Sequence, residues 1–238
     1  MKSLNKDPNI RALAFLLATI IVIALTIITL TKAVELQSTG RGQIERQKYK
    51  VTYSFNNIKN LNYHFLFTKV ENGKTTIYEG DRYDDMFEYV VLKDGEEDKY
   101  FQDGYQVLKR NKQNAKWEDV EDPIDFKEFF NVTIMKKIIG GSNCYSRTEY
   151  ADNDDVLYNY QTSSSTIAAF AFSDLVDIDD LPNKINATIN GDNELYKIKY
   201  EVSNFYKFLK NDQNYTFNLT LKFSKFGKIK ELEKPEIG

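Results

Sequence analysis

Residues 12–31, ALAFLLATIIVIALTIITLT, carry no charge and are bounded by Arg11 and Lys32. About 20 such residues form a helix of roughly 30 Å, which is the thickness of the hydrocarbon core of a bilayer. A core helix would need a large protein around it, but the residues on both sides of this run are polar. The run therefore predicts a transmembrane helix.

The same run is longer than the apolar region of a signal peptide, which spans about 7–15 residues. The residues that follow, TLTKAVELQ, contain no clean A-x-A cleavage pattern. We therefore expect an uncleaved signal anchor at 12–31, preceded by a short basic segment at 1–11. Basic residues flank the run on both sides, so their count leaves the orientation open. Long domains translocate largely regardless of charge, and we expect a single-pass cell-membrane protein with an extracytoplasmic main domain.

The chain changes character after the predicted anchor. Residues 32–48 are polar and show no apolar period, which predicts a stalk. Apolar and polar residues then alternate in YKVTYSF (49–55) and LNYHFLFTKV (61–70), which is typical of half-buried strands. Aromatic residues make up 14% of the chain and fit pleated, half-buried surfaces, so we expect a fold dominated by strands.

Turn signals divide the next part of the chain into hairpins. Asn72-Gly73 and Asp94-Gly95 are the residue pairs that two-residue hairpin turns prefer. The predicted strands around and after these turns are KTTIYEGDRY, MFEYVVLK, DKYF, GYQVLKR and AKWEDV. We therefore predict that residues 98–120 form a meander at the middle of an antiparallel sheet.

Residues 122–141, DPIDFKEFFNVTIMKKIIGG, break the strand pattern. Asp122 can cap a helix, Pro123 suits its first position, and Gly140-Gly141 would end it. Between them, apolar residues recur every four positions, which predicts a helix with one apolar stripe on the sheet. Residues 166–178, TIAAFAFSDLVDI, are compatible with a second helix or with a strand. The apolar stripe consists of Phe126, Phe130, Ile134 and Ile138.

The alternation is clearest in the C-terminal third of the chain. Apolar and aromatic residues occupy every second position, with Lys, Asn, Thr and Glu between them. This pattern is typical of an antiparallel sheet with one solvated face. The apolar positions are Tyr196, Ile198, Tyr200 and Val202 in one predicted strand, and Tyr215, Phe217, Leu219, Leu221 and Phe223 in the next.

Charged residues are interleaved along the chain, with 32 Lys and Arg against 35 Asp and Glu. A protein that binds nucleic acid usually has a basic face, and the sequence shows no basic cluster, so we expect no nucleic-acid partner. Cys144 is the only cysteine, which excludes an intramolecular disulfide. Only Arg147 is near it in sequence to activate the thiol, so we expect a buried or incidental cysteine rather than a reactive one.

Residues suited to catalysis or metal binding are sparse. His64 is the only histidine, and alternation places it opposite the apolar face, as a surface or partly satisfied strand residue. The acidic clusters at 152–155 and 177–180 do not complete the pattern of a calcium loop, so we interpret them as solvated loop charge. We therefore expect a protein that is not an enzyme, with no catalytic residue, no cofactor and no metal.

Two segments carry a resemblance to a known family. DKYFQDGYQVLKRNKQNAKWEDV at 98–120 is similar to a hairpin of the LolA/LolB and LppX/LprG group of bacterial lipoprotein and lipid carriers. YTFNLTLKFSKFGKIKELEKPE at 215–236 is similar to the closing strand, S-x-F/Y-G turn and short final strand of the same group. The order of the predicted elements between them also fits this group.

The resemblance implies an α+β fold at 49–238, with a curved antiparallel sheet, or half-barrel, and helices on its concave face. It also implies an extracytoplasmic, non-enzymatic protein with an apolar cavity for acyl chains. Members of the group are typically soluble or lipid-anchored, whereas this chain has a predicted transmembrane anchor. A fixed anchor excludes long-range shuttling and leaves local transfer or sensing.

We therefore expect a membrane-anchored protein that binds a lipid or lipoprotein acyl chain. The alternative is a structural or signalling module that binds another cell-envelope protein through a sheet edge or the outer face of the sheet. A carrier keeps an open apolar volume, whereas such a module fills it with side chains. The expected cavity wall consists of Tyr63, Phe65, Phe67, Trp117, Phe126, Phe130, Tyr196, Ile198, Tyr200, Phe217 and Leu219.

Overall fold

A computed structural model describes residues 62–172, 175 and 178–237, together with Val51, Ser54, Phe55 and Ile58. The predicted basic segment, anchor and stalk at 1–48 lie outside the described residues. No helix within the described part of the chain is long and apolar enough to cross a membrane.

In the part of the chain that the structure describes, eleven strands form one antiparallel sheet, which confirms the strand-dominated prediction. Their order is β6-β5-β4-β3-β2-β1-β11-β10-β9-β8-β7, so two meanders meet where β1 pairs with β11. The strands are β1 Tyr63–Glu71, β2 Lys74–Tyr83, β3 Met86–Lys93, β4 Glu96–Asp103, β5 Gln106–Arg110, β6 Trp117–Asp119, β7 Asn143–Glu149, β8 Val156–Ser163, β9 Pro182–Ile189, β10 Leu195–Glu201 and β11 Phe217–Ser224.

The predicted hairpins of the N-terminal meander are confirmed. Asn72 and Gly73 have φ of 49° and 76°, and Asp94 and Gly95 have φ of 53° and 83°. Both central residues are left-handed, as the hairpin turn with the favoured twist requires. The prediction that this meander lies at the middle of the sheet is wrong, because the second half of the chain adds to β1 and leaves β6 at one edge.

The helices begin later than the sequence pattern predicted. A 3₁₀ helix spans Lys127–Phe130 and α1 spans Val132–Gly141. The side chain of Asn131 caps α1 by accepting hydrogen bonds from the backbone of Thr133 and Ile134, at 3.0 and 3.2 Å. Asp122 caps no helix, because its carboxylate accepts from the backbone N–H of Ile124 in a local turn, at 2.9 Å.

Two further helices follow among the described residues. The first, α2, spans Ser164–Ala171, which assigns the first half of the undecided segment to a helix. Ser163 caps it through a hydrogen bond from the backbone of Thr166. The second, α3, spans Ser203–Leu209 and was not predicted.

The prediction of a strand at 49–55 is wrong, because Val51, Ser54, Phe55 and Ile58 are helical and buried. Their spacing of i, i+3, i+4 and i+7 places them on one face of a helix. Val51 and Phe55 are four residues apart, so these two apolar positions fit a helix as well as a strand.

The two faces of the sheet differ. The inner face carries Phe65 and Phe67 of β1, and the helical segments cover it, since the Phe67 ring lies 5.3 Å from the Phe130 ring. On the outer face, Phe101 and Leu108 are each 1% exposed. The C-terminal tail, residues 225–237, reaches this face, where Lys234 donates to Asp103 at 2.7 Å.

Candidate ligand cleft

A cleft of about 540 Å³ lies on the inner face, between strands β1–β4 and the segment at 122–134. Its strand side carries the aromatic rings of Tyr63, Phe65, Phe67 and Phe87. Its helix side carries Ile124, Phe130, Val132 and Ile134. The volume lies within the range of about 300–1,000 Å³ that small-molecule sites occupy.

Strand pairing explains why these rings converge. Tyr63, Phe65 and Phe67 alternate along β1 and share the inner face. Tyr63 pairs with Arg82 of β2, and Arg82 pairs with Phe87 of β3. The wall of the cleft therefore follows directly from the register of the first two hairpins.

Arg82 is the charged residue of the strand wall that lies between aromatic rings. Its guanidinium carbon is 5.3 Å from the centre of the Tyr63 ring and 5.9 Å from that of Phe87. Its Nε donates to the carbonyl of Asp84 at 2.8 Å, and Nη1 donates to the carbonyl of Ile58 at 2.9 Å. Burial raises the pKa of the Tyr63 hydroxyl, and the positive charge of Arg82 opposes that rise.

A second cavity of about 570 Å³ lies at the opposite ends of the same strands. Residues 122–126, here called the strap, separate it from the cleft. Asp122 and Ile124 line the cleft, whereas Pro123 and Asp125 line the second cavity. The second cavity has a polar wall, which includes Lys69, Thr76, Lys93, Asp94, Glu96 and Asp98.

Two contacts hold the strap on the sheet. Lys69 of β1 binds both carboxylate oxygens of Asp125, at 2.8 and 3.0 Å. The hydroxyl of Tyr78 donates to the carbonyl of Pro123 at 3.3 Å. Ile124 and Phe126 are 4% and 0% exposed, so the strap also packs apolar side chains beneath it.

The structure places the predicted wall residues in three groups. The first group lines the cleft and consists of Tyr63, Phe65, Phe67 and Phe130. The second group is buried in packed parts of the core. The ring centres of Phe129 and Tyr200 are 5.1 Å apart, and those of Tyr206 and Phe217 are 3.9 Å apart. That group consists of Phe126, Ile198, Tyr200, Phe217 and Leu219.

Trp117 and Tyr196 form the third group, because they do not lie on the inner face. Trp117 pairs with Arg110, and this register places it on the outer face, where it forms a bridge with Ile237 of the C-terminal tail. A shift in the pairing of β10 between Leu195 and Lys197 buries Leu195 and turns Tyr196 away from the core. The hydroxyl of Tyr196 donates to Asp155 at 2.5 Å.

Sequence reasoning missed Arg82, Phe87 and Val132 as cleft residues. The signal for Arg82 was present, because the turn at Asn72-Gly73 fixes the register of β1 and β2 and places Arg82 opposite Tyr63. Arg82 interrupts the alternation, because it is a charged residue paired with a buried aromatic ring. This interruption indicates the position of the cleft.

The other residues considered for chemistry lie away from the cleft. His64 is half-buried on the outer face of β1, as predicted, and its Nδ1 lies 2.7 Å from Asp81. Cys144 is buried in β7, also as predicted, and its thiol lies 3.8 Å from the carbonyl oxygen of Ser146. The prediction that the 152–155 cluster is solvated loop charge is wrong for Asp155, which is 7% exposed and accepts a hydrogen bond from Tyr196. Among the described residues, no group of His, Cys, Asp and Glu could hold a metal ion.

No protein-family model and no curated protein sequence matches the chain. Among solved structures, the lipoprotein LppX of Mycobacterium tuberculosis superposes with a TM-score of 0.53 at 11% identity. The superposition covers 78% of this chain and 97% of LppX. The chain has an LppX-like fold.

LprF of Mycobacterium bovis gives a similar result, with a TM-score of 0.50 at 10% identity over 80% of this chain and 97% of LprF. The resemblance inferred from the two sequence segments is therefore confirmed for the fold. At this level of identity the LppX-like fold is what the chain shares with both proteins.

Proposed function

We propose that the protein binds the acyl chain of a lipid or lipoprotein in the cleft. The observation that supports this proposal is the open volume of about 540 Å³ between aromatic rings of β1 and β3 and apolar residues of the strap and α1. In the other half of the sheet, side chains from the helical segments pack on the same face. A protein that used the sheet only as a scaffold would gain stability by filling the cleft as well.

Binding would be driven by removal of apolar surface from water. Each buried CH₂ contributes about 0.8 kcal/mol, and association costs several kcal/mol in lost freedom of motion. An acyl chain with many methylene groups covers this cost without a covalent bond. Half-buried Phe87, Phe130, Val132 and Ile134 offer the chain apolar surface. Buried Phe65 and Phe67 form the floor beneath them and pack against each other, with ring centres 4.7 Å apart.

We further propose that residues 12–31 anchor the protein in the cell membrane, with the LppX-like domain on the extracytoplasmic side. The support is the uncharged run and its polar flanks. An anchored carrier would act on lipids in the same membrane or transfer them to a partner nearby. We also propose that the sheet is curved into the half-barrel that the resemblance implies, and that this curvature would enclose the acyl chain.

Native mass spectrometry of the full chain, combined with lipid extraction, tests the proposal. Val132 lies in the cleft at the first position of α1, so Val132→Trp should fill the cavity. Lys137 is exposed on the same helix, and Lys137→Trp is the matched control for a new tryptophan. Lipids that surround the transmembrane segment should be the same in all three proteins.

We expect one acyl ligand per protein in the wild type and in Lys137→Trp, and a loss of that ligand in Val132→Trp. Thermal melting of each variant checks that the fold is intact. The same lipid content in all three proteins would place the lipid outside the cleft and overturn the proposal. The search would then turn to a protein partner at the exposed edge strand β7.

A further inference from the structure

We propose that Arg82 makes the cleft selective for acyl ligands whose head carries an anionic oxygen group, a carboxylate or a phosphate. This inference rests on the proposed function, because it names the class of ligand that the cleft would accept. It places the head near the turn between β2 and β3 and the chain against half-buried Phe87 and Phe130.

The position of Arg82 is the first support. The side chain lies on the inner face at the end of the apolar wall, one residue before β2 ends at Tyr83. Exposed Asp85 in the turn and half-buried Gln102 of β4 line the same end of the cleft, so this end is polar and open to solvent. An amphiphile whose chain lies against the apolar wall would therefore place its head beside Arg82.

The orientation of the guanidinium is the second support. Two of its N–H groups are held by backbone carbonyls, and the rings of Tyr63 and Phe87 flank it, so the fork is fixed before a ligand arrives. The remaining N–H groups have no carboxylate partner within 4.0 Å among the described residues, unlike Arg147, which pairs with Glu149. The Tyr63 hydroxyl also interacts with the guanidinium. The planar fork, with no carboxylate to neutralise its charge among the described residues, matches the two oxygens of a carboxylate or phosphate.

The other charges around the cleft do not replace such a partner. Lys127 lies 3.9 Å from Asp122, so these two charges largely offset each other. Asp85 and Glu128 also line the cleft, but neither lies within ion-pair distance of Arg82. Their repulsion of an anionic head falls with distance and is screened by solvent, whereas the head would contact the guanidinium directly.

A charge-matched series of single-chain ligands tests the inference. The probes are hexadecanoate, hexadecyl phosphate, hexadecanol and hexadecyltrimethylammonium, which share one chain length. Each is titrated against full-length protein in nanodiscs that carries the uncharged fluorophore N-phenyl-1-naphthylamine. Val132→Trp in the same nanodiscs provides the background from partition into lipid.

We expect both anions to displace the fluorophore at concentrations about tenfold lower than hexadecanol, as a charge-assisted pair predicts. A preference for hexadecyl phosphate over hexadecanoate, or the reverse, would identify which oxygen group the site selects. Equal affinities for the anions and hexadecanol, with displacement still dependent on Val132, would overturn the inference and leave the proposed function intact. Displacement that Val132→Trp does not change would overturn both.

Substitutions of Arg82 provide the second measurement. Arg82→Gln should lower the affinity ratio between hexadecanoate and hexadecanol to about one, and Arg82→Lys should retain part of the ratio. Arg110 is exposed and pairs with Trp117, whose side chain lies on the outer face, so Arg110→Gln removes the same charge away from the cleft and should keep the wild-type ratio. A wild-type ratio in Arg82→Gln would overturn the inference. If Arg82→Gln does not fold, the affinities of the wild-type protein for the two anions and for hexadecanol still test the inference.

Discussion

Lys69 donates hydrogen bonds to both carboxylate oxygens of Asp125, at 3.0 and 2.8 Å, and so joins the strap to β1. Lys69 continues the inner-face stripe of Tyr63, Phe65 and Phe67, and it is 8% exposed. A buried ammonium is costly unless it is paired, and Glu71 supplies a second carboxylate at 3.1 Å. The strap that separates the two cavities is thus held by an ion pair as well as by packing.

Loss of this contact should destabilise the domain. Asp125→Ala leaves the buried ammonium with Glu71 alone, and we expect the free energy of unfolding to fall by about 1 kcal/mol. The value is modest because the Asp125 side chain is 58% exposed. Urea unfolding measures it, with Glu121→Ala as the control for an exposed carboxylate just before the strap. An equal effect of both variants would show that Lys69 contributes nothing through Asp125.

Gly80 of β2 lies too close to β3 to carry a side chain. A Cβ at this position would lie 2.5 Å from the Cβ of Tyr89 and would also clash with the carbonyl of Glu88. We expect Gly80→Ala to lower the free energy of unfolding by about 3 kcal/mol, because the contact involves backbone that cannot yield easily. Gly140 in α1 has open space around it, so Gly140→Ala should instead raise stability by about 0.5 kcal/mol. Chemical denaturation of both variants should give opposite signs.

The sequence was sufficient for the features that depend on local pattern. The hairpins at Asn72-Gly73 and Asp94-Gly95 follow from turn chemistry and a period of two. The burial of Phe65 and Phe67 follows from the same alternation. These features include the inner-face positions of Tyr63, Phe65 and Phe67 on the strand side of the cleft.

Features that depend on register or on distant contacts were not predictable in this way. Trp117 lies in a three-residue strand, and only its pairing with Arg110 decides which face it occupies. Tyr196 kept a perfect alternation in sequence, but the shift beside it in β10 turned it outward. The position of β6 at a sheet edge depends on where the second half of the chain pairs, which no local pattern records.

Asp98, on the wall of the second cavity, should contribute to stability at neutral pH. A hydrogen bond from Lys109 at 2.8 Å lowers the pKa of its carboxyl, burial opposes this, and Lys112 adds to the lowering. Because the folded pKa lies below the unfolded value of about 3.9, the contribution is fully present above that value. It is lost as the pH falls through the folded pKa.

The measurement for Asp98 is the difference in unfolding free energy between the wild type and Asp98→Asn. We expect the wild type to be more stable at about pH 6 and the difference to be smaller at about pH 2.5, because the carboxyl takes up a proton in the folded state as the pH falls through its lowered pKa. Glu97 is exposed on the same strand and makes no ion pair with any described residue, so Glu97→Gln serves as the control. A difference that stays constant between the two pH values would contradict this role of Lys109.

The Tyr196 hydroxyl should lose its proton at a higher pH than an ordinary tyrosine, because it is partly buried and hydrogen-bonded to a carboxylate. Burial, followed by the hydrogen bond to Asp155, raises the pKa of its hydroxyl to about 12. The unfolded chain releases this proton near pH 10, so the folded state holds it over a wider range. Its contribution to stability is therefore complete below about pH 10 and is lost as the pH rises towards 12. NMR titration of ¹³C-labelled tyrosines, with Tyr196→Phe for assignment, should show this late step. Asp155→Asn removes the negative charge and should lower that pKa, and a wild-type titration near pH 10 would show that the hydrogen bond does not persist in solution.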